Sequence, residues 1–345
     1  MIKIKILNPT QGRNEPTFRP LTFLREMLYT DYSIELTTDD DYDYLFVGME
    51  DFIDKKKPLK DSIEWGLENL SEITGDYFLF DGSDSTSLMG AYEVFEQSEA
   101  IYLFKNQLLS KEQYKKPTAF NKWFFGSGSD LDLGYDIPKG KWDRIKLSGY
   151  NLGYLLPQYR NFQPMNQNKQ IDVCAIYQAE HKYNEDHKVR NDLHYTTHRK
   201  GVWDKLDSKY NTRKDKLPYQ EYIQTLYNSK VAISPFGMGE LCFRDFECMQ
   251  FGTIIIKPDM SIVNTTPNIY IDNETYISVN YDWSNLTEKV DYVLSNFKEL
   301  NKKINTNIRS MFIEKYSYEN LCLYYYNLFS NLNEVNKDEI IGVNK

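Results

Sequence analysis

A run of glycines and charged residues stands in the last third of the chain, where the sequence from Ser229 to Ile256 is SKVAISPFGMGELCFRDFECMQFGTIII. The apolar letters VAIS predict a buried strand, the glycines at 237 and 239 predict a turn, and residues 244–251 predict a helix that ends at Gly252. Glycines let backbone N–H groups approach an anion, and the N-terminus of a helix favours negative charge. This corner is therefore suited to bind a diphosphate.

Arg244 and Glu247 are three positions apart in the predicted helix and so lie on one face of it. The guanidinium of Arg244 offers a planar fork of donors to a diphosphate, and the carboxylate of Glu247 can accept from the two hydroxyls of a ribose. A nucleotide-diphosphate sugar needs both groups. The alternative interpretation is an ordinary i,i+3 salt bridge in an α/β protein.

The whole pattern resembles the donor-binding domain of GT-B glycosyltransferases, and most of all the exostosin-type family, over residues 219–259. The matching positions are Ser229, Lys230, Pro235, Gly237, Arg244, Glu247 and Gly252. Phe243 and Ile254 stand where that family usually has Ser and Pro. The resemblance implies that Arg244 contacts the donor diphosphate, that Glu247 contacts the ribose, that the donor is most often UDP-linked, and that no bound metal is required. The Arg-x-x-Glu pattern is also similar to the sugar transferases with which some phages modify DNA bases.

All four histidines of the chain lie between residues 181 and 198. His194 and His198 have the i,i+4 spacing of a helical metal pair, but no zincin motif accompanies them, so we predict no metal site. In GT-B proteins the segment after the first strand of the second domain faces the donor phosphates. The resemblance then implies that His187, Arg190, Arg199 or Lys200 neutralises the leaving diphosphate; a solvated loop of mixed charge is the alternative.

We therefore expect a donor site for a nucleotide sugar, with a UDP-sugar favoured and no cofactor. The residues predicted to bind the donor are Arg190, Arg199, Lys200, Ser234, Pro235, Gly237, Gly239, Glu240, Arg244 and Glu247.

An acidic turn, DGSDST, directly follows the apolar run YFLF in the first half of the chain. Inverting transferases of the GT-B type often take their general base from this half. Asp81 or Asp84 could accept the proton of an acceptor hydroxyl as it attacks the sugar, although aspartates after strands are also common turn formers. Asp130 and Asp132 are weaker candidates for the same role.

Short apolar segments alternate with amphipathic ones through both halves of the chain. In the first half we expect strands over 2–7, 33–36, 42–47, 77–80 and 100–104, and helices over 20–29 and 61–73. In the second half we expect strands over 171–177, 231–234, 253–256 and 268–271, and helices over 219–228, 244–251, 286–300 and 301–329. This alternation is typical of parallel sheets with helices on both faces.

A polar stretch with two prolines near residues 157–170 separates the two halves. The expected units are an acceptor-binding Rossmann-like domain over 1–157, a linker over 158–170, a donor-binding Rossmann-like domain over 171–315, and a C-terminal helix and tail over 316–345, with the helix crossing back to the first domain. The predicted fold class is α/β, with two doubly wound domains facing a central cleft of the GT-B type. A ligand would bind at the carboxyl ends of the strands.

The composition excludes several other classes of protein. Lys and Arg number 41 against 50 Asp and Glu, a net charge of −9, which disfavours a general nucleic-acid binder because a phosphate backbone needs a basic face. There is no apolar run of the roughly 18 residues that a membrane helix needs, and the alternation of Lys with aliphatic residues over 2–7 indicates a strand rather than an export signal. The four cysteines form no CxxC pair. We expect a cytoplasmic protein.

The sequence thus predicts an inverting, metal-independent glycosyltransferase, a hexosyl- or pentosyltransferase that moves a sugar from its nucleotide donor to a hydroxyl of a glycan or other acceptor. Domain closure would exclude water. Two alternatives stay open. A transferase acting on modified DNA bases would need a basic groove in the first domain, and a non-catalytic nucleotide-sugar or glycan-binding protein would direct no carboxylate at the anomeric carbon.

Overall fold

The computed structural model describes residues 1–8, 14–53, 57–115, 134–148, 161–178, 195–206, 208–214, 216–237, 239–315 and 317–331. Its strands are β1 Ile2–Ile6, β2 Ile34–Thr37, β3 Tyr44–Gly48, β4 Tyr77–Asp81, β5 Leu103–Lys105, β6 Gln107–Leu109, β7 Ile145–Leu147, β8 Ile171–Cys174, β9 Thr212–Arg213, β10 Ser229–Ile233, β11 Ile254–Pro258, β12 Val263–Thr265 and β13 Ile277–Val279. Its helices are α1 Asn14–Phe23, α2 Arg25–Tyr32, α3 Leu59–Leu70, α4 Ala91–Gln97, α5 Lys111–Tyr114, α6 Lys139–Trp142, α7 Tyr195–Lys205, α8 Tyr219–Asn228, α9 Phe243–Phe251, α10 Leu286–Ser295, α11 Phe297–Glu314 and α12 Tyr318–Ser330.

Six parallel strands form the first sheet, in the order β2-β1-β3-β4-β5-β7. Its central strands β3 and β4 are buried along their whole length. Strands that are covered on both faces read as nearly continuous apolar runs, which is why YLFVG and YFLFD stand out in the sequence. Four phenylalanines from β3, β4 and β5 pack against one another in this core at centroid distances of 4.6–6.3 Å, namely Phe46, Phe78, Phe80 and Phe104.

Five parallel strands form the second sheet, in the order β13-β11-β10-β8-β9. When the strands of each sheet are numbered along the chain, the first sheet has the order 2-1-3-4-5-6 and the second sheet has the order 2-1-3-4-5. The predicted α/β class with two doubly wound sheets is therefore confirmed. In such sheets the strand order reverses between the first and third strands, and ligands bind at the carboxyl ends near that point. In the second sheet the reversal lies between β8 and β10.

The carboxyl edges of the two sheets face each other. The turn after β4 meets the loop after β10, where Thr86 donates hydrogen bonds to Glu240. The short strand β6, which follows β5, pairs antiparallel with β12, which follows β11. This two-stranded ribbon, absent from the sequence prediction, joins the two halves beside the loop after β10.

The chain returns to the first half at its last described helix. The first sheet takes its strands from residues 2–147 and the second from residues 171–279, and residues 161–170 between them form neither helix nor strand. Helix α12 then packs on the first half, with Phe329 5.3 Å from Phe46 between ring centroids and the Tyr325 hydroxyl donating to the Ser148 carbonyl at 3.1 Å. Among the described helices, none combines the length and the apolar character needed to cross a membrane.

Three predictions of secondary structure were wrong. The helix expected over 20–29 is divided between α1 and α2, because Leu24 belongs to neither. Residues 268–271 were expected to form a strand, but their backbone is satisfied by side chains instead: Asn268 Oδ1 accepts from the N–H of Tyr270, and Thr275 Oγ1 accepts from the N–H of Ile271. The last strand of the sheet is β13. Two helices were expected, over 286–300 and 301–329, but the structure has three, α10, α11 and α12. One helix ends and the next begins at Asn296, and again between Glu314 and Tyr318.

Candidate active site

The loop that follows β10 is supported from beneath by Asp245, a fully buried residue in the first turn of α9. The Ser234 hydroxyl donates to Asp245 Oδ1 at 2.5 Å, and the backbone N–H of Cys242 donates to Oδ2 at 3.2 Å. The Lys257 ammonium lies 3.1 Å from Oδ2, and the Tyr270 hydroxyl donates to the same oxygen. A buried carboxylate with so many partners fixes the geometry around it. Ser234 was predicted to bind the donor, but its hydroxyl donates to Asp245 instead and so helps to hold the loop in place.

The glycines of the loop make room for protein groups. A Cβ on Gly239 would lie 1.4 Å from the carbonyl oxygen of Asp84, and a Cβ on Gly237 would lie 3.1 Å from Arg199 Nη2. The N–H of Gly237 donates within the loop, to the carbonyl of Gly239 at 2.8 Å. The carbonyl of Pro235 accepts from the Cys242 thiol at 3.4 Å. These residues shape the loop.

Arg199 ties this loop to the end of β8. Its Nε donates to the carbonyl of Phe236 at 2.9 Å, and its Nη1 donates to the carbonyl of Gln178 at 2.6 Å. The residue is buried, with its guanidinium 5.6 Å from the centre of the Tyr177 ring. Arg199 therefore stabilises the loop through hydrogen bonds from two of its nitrogens, Nε and Nη1. Lys200 follows it at the surface, half-buried.

Arg244, in the first turn of α9, contacts the same tyrosine as Arg199. Its guanidinium carbon is 5.0 Å from the centre of the Tyr177 ring, a cation–π distance. Its Nε and Nη1 are buried and have no hydrogen-bond partner among the described residues. Buried N–H groups are nearly always paired in native proteins, so these two donor nitrogens, which no described residue satisfies, are suited to bind a ligand.

Glu247 does not form the i,i+3 salt bridge that its spacing from Arg244 allows. In the described part of the chain no nitrogen of Arg244 lies within 4.0 Å of a carboxylate oxygen. Glu247 instead accepts a hydrogen bond at Oε2 from the hydroxyl of Tyr222, on the neighbouring helix α8, at 2.7 Å. Burial raises the pKa of Glu247, opposed by the Tyr222 hydrogen bond and by the charge of Arg244. The ordinary salt-bridge interpretation is therefore wrong.

Glu240 was predicted to bind the donor, but the structure gives it a different partner. It is fully buried between the halves, and its carboxylate accepts from the backbone N–H of Thr86 at 3.0 Å and from the Thr86 hydroxyl at 2.7 Å. Both oxygens are thus engaged across the interface. Burial raises the pKa of Glu240, while the hydrogen bonds from Thr86 oppose the rise.

The two aspartates of the acidic turn have opposite environments. Asp81 is buried, with Oδ2 2.6 Å from the Lys105 ammonium and Oδ1 accepting from the N–H of Ser83 at 2.9 Å. Burial alone would raise the pKa of Asp81, but Lys105 and Ser83 outweigh it and the pKa is lowered. A buried carboxylate in an ion pair is a poor general base, which argues against that role for Asp81. Asp84 is exposed, and its backbone lies against Gly239.

The structure brings Arg199 and Arg244 together at the Tyr177 ring. It also brings the acidic turn of the first half to the loop after β10. His187, Arg190, Asp130 and Asp132 lie outside the described residues. In the part of the chain that is described, no three His, Cys, Asp or Glu residues gather to hold a metal ion.

Several site residues were missed by sequence reasoning. They are Tyr177, Tyr222, Thr86, Lys105 and Lys257. Tyrosine is so frequent in this chain, with 28 residues, that no single one is marked by its type. Thr86 and Lys105 matter only through partners that are distant along the chain.

No protein-family model and no curated protein matches the sequence. Among solved structures, the chain is similar to an alpha-glucosyltransferase in complex with UDP and a 13-mer DNA containing a HMU base, with a TM-score of 0.48 and 11% identity, covering 96% of this chain and 99% of that one. It is similar to a glycosyltransferase from Rickettsia africae, with a TM-score of 0.45 and 14% identity over 97% and 99% of the two chains. It is also similar to Anabaena HepE in complex with UDP-glucose, with a TM-score of 0.46 and 9% identity over 96% and 100%.

Two doubly wound parallel sheets with facing carboxyl edges and a last helix that returns to the first half make up the present chain. This is an arrangement of the GT-B type.

Proposed function

We propose that this protein is a glycosyltransferase that takes a sugar from a nucleoside-diphosphate donor, with UDP favoured, and transfers it to a hydroxyl of an acceptor. The observation that supports this most directly is the Arg244 guanidinium, in which two buried donor nitrogens, Nε and Nη1, are satisfied by no described residue. It lies at the carboxyl end of the strands where doubly wound sheets bind ligands. A diphosphate supplies the oxygens and the negative charge that these donors lack.

The neighbouring groups suit the rest of a nucleotide. Tyr177 supports Arg244 from one side, and the half-buried Glu247 lies on the same face of α9. We assign Arg244 to the diphosphate and Glu247 to the ribose hydroxyls. Arg199 belongs to the site because it holds the loop in place. We also assign Lys200, Pro235 and Gly237 to the donor site. Gly239 and Glu240 belong to the contact between the halves. The match of these positions to the exostosin-type family is part of the proposal.

The proposed reaction is a single displacement with inversion. The acceptor hydroxyl attacks the anomeric carbon, the bond from that carbon to the diphosphate oxygen breaks, and the hydroxyl proton passes to a carboxylate. Asp84 is the described carboxylate that best fits this last role, because it is exposed and its backbone contacts the loop next to the donor site. Arg244 and the N-terminus of α9 stabilise the charge that grows on the leaving diphosphate.

The alternatives have less support among the described residues. A transferase acting on DNA bases would need a basic groove at the cleft. The basic residues of α6 precede β7 and so lie at the opposite edge of the first sheet; there Lys139 pairs with Asp143, and Arg144 donates to the carbonyl of Ile101. A binding protein without turnover would share the donor site and differ in Asp84.

The test measures nucleotide binding and turnover separately. We expect UDP to raise the melting temperature of the wild type more than CDP, GDP or ADP do, and UDP-glucose or another UDP-sugar to release UDP slowly by hydrolysis. Arg244→Ala should lose the stabilisation by UDP, whereas Arg25→Ala, an exposed residue of α2, should keep it. Full stabilisation of Arg244→Ala by UDP would refute the donor site. Binding without any release of UDP, by the wild type and Asp84→Asn alike, would favour the binding protein.

A further inference from the structure

Helices α8 and α9 pack side by side, and one hydrogen bond joins their half-buried polar residues. The hydroxyl of Tyr222 on α8 donates to Oε2 of Glu247 on α9 at 2.7 Å. This bond occupies one carboxylate oxygen. It also restricts the rotation of the Glu247 side chain, because the oxygen that faces α8 is fixed by its donor.

The other oxygen of Glu247 is left for a ligand. Among the described residues Oε1 accepts no hydrogen bond, and it does not belong to the fully buried polar atoms that lack a partner. Arg244 does not neutralise the carboxylate within ion-pair distance. Glu247 therefore presents one oriented acceptor oxygen beside Arg244, whose Nε and Nη1 have no hydrogen-bond partner among the described residues.

We propose that Tyr222 is a positioning residue that holds Glu247 with Oε1 directed at a ribose hydroxyl, and that the pair makes the site selective for ribonucleoside over deoxyribonucleoside diphosphates. This inference rests on the proposed function, since it requires a nucleotide in the cleft. A carboxylate that is held in place by a second group loses less freedom when its ligand binds. A site built to accept from a hydroxyl rejects the analogue without it, because the bound analogue would cover the acceptor oxygen and leave it without a donor.

The experiment compares the dissociation constants of UDP, 2′-deoxy-UDP and 3′-deoxy-UDP by titration calorimetry. We expect the wild type to bind UDP about tenfold or more tightly than at least one deoxy analogue, and Glu247→Gln to reduce that ratio most. Tyr222→Phe should weaken UDP about three- to tenfold while it leaves the affinity for that deoxy analogue nearly unchanged. In the Glu247→Gln background, Tyr222→Phe should have no further effect on the ratio, since the two residues act as one unit.

Tyr227→Phe is the matched control. Tyr227 lies on the same helix and is half-buried like Tyr222, and the substitution removes the same hydroxyl oxygen. It should leave the binding of all three nucleotides unchanged. If Tyr222→Phe weakens all three equally, Tyr222 has only a structural role and the inference is refuted. If the wild type binds none of them, the proposed function fails instead; should Tyr222→Phe fold poorly, an unreduced ratio in Glu247→Gln refutes the inference by itself.

Discussion

The two carboxylate oxygens of Glu240 accept the two hydrogen bonds that Thr86 donates, one from its backbone N–H at 3.0 Å and one from its hydroxyl at 2.7 Å. The residues are 154 positions apart and belong to different halves of the chain. Because the carboxylate is fully buried, each bond replaces one that water made in the unfolded chain, and losing either leaves a buried charge under-satisfied.

Thr86→Val tests this contact by removing the hydroxyl while keeping the shape of the side chain. We expect the free energy of unfolding to fall by about 1–3 kcal/mol, measured by urea denaturation. Thr225→Val is the control, because the Thr225 hydroxyl bonds only to the carbonyl of Glu221 within its own helix, and it should change stability by no more than about 0.5 kcal/mol. Equal losses of stability in the two variants would show that the hydrogen bond from Thr86 to Glu240 contributes no more than the one from Thr225 to Glu221.

Alanine substitutions at three glycines should change the stability of the protein to different extents. Gly239→Ala should destabilise by about 3 kcal/mol, because its Cβ would overlap the Asp84 carbonyl oxygen at 1.4 Å. Gly237→Ala should cost less, since its Cβ would lie 3.1 Å from the end of the Arg199 side chain. Gly140→Ala, with nothing within 4 Å of its Cβ, should stabilise helix α6 by about 0.5–1 kcal/mol. Thermal unfolding of the three variants checks the order, and a stable Gly239→Ala would mean that the halves do not meet as described.

Substitution of Asp81 should affect mainly the stability of the protein, and substitution of Asp84 should affect mainly its activity. Asp81→Asn leaves Lys105 buried without its counter-charge, so we expect a loss of about 3–5 kcal/mol at neutral pH. Asp84→Asn, in the same turn but exposed, should change stability by less than about 0.5 kcal/mol and should abolish sugar transfer. If Asp84→Asn keeps full activity, Asp84 is not the base.

The pH dependence of the Asp81 effect follows from the sign of its pKa shift. Lys105 and Ser83, against the opposing effect of burial, hold the pKa of Asp81 below its ordinary 3.8 in the folded state. The unfolded state therefore binds more protons in that range, and the stability due to the ionised carboxylate is present above pH 3.8 and lost as the pH falls through the folded pKa. The difference in unfolding free energy between wild type and Asp81→Asn should accordingly be largest near neutral pH and should shrink below pH 3.8. A difference that stayed constant on acidification would contradict the ion pair.

The sequence predicted the sheets well because their strands are buried on both faces. YLFVG, YFLFD and the run III at 254–256 leave no polar face to confuse the pattern. The corner around Arg244 was found because glycine, arginine and glutamate have distinct chemistry at a fixed spacing. Strands β6 and β12 were missed because each is three residues long and is specified only by pairing with the other, a contact between distant parts of the chain.

The environment of each charged group was harder to predict than its position. Arg244 and Glu247 have the spacing of a salt bridge, yet each turns to a different tyrosine, because helix α8 and the end of β8 supply partners that lie far away in the sequence. Asp81 and Asp84 look equivalent in the turn DGSDST. Only the cross-strand neighbour Lys105, aligned with Asp81 in the sheet, makes one a buried structural anion and leaves the other at the surface.

The unsatisfied guanidinium predicts that stability and binding respond in opposite directions at position 244. Arg244→Met keeps the apolar stem that packs near Tyr177 and removes the buried donors that have no partner among the described residues. Because unpaired buried charges are costly, we expect the nucleotide-free variant to be as stable as the wild type or more stable, by about 1–2 kcal/mol, while the stabilisation by UDP disappears. Chemical denaturation with and without UDP measures both quantities, with the exposed Arg25→Met as the control that should change neither. If Arg244→Met destabilises the nucleotide-free protein strongly, Arg244 holds the fold together, and its donors are not kept open for a ligand.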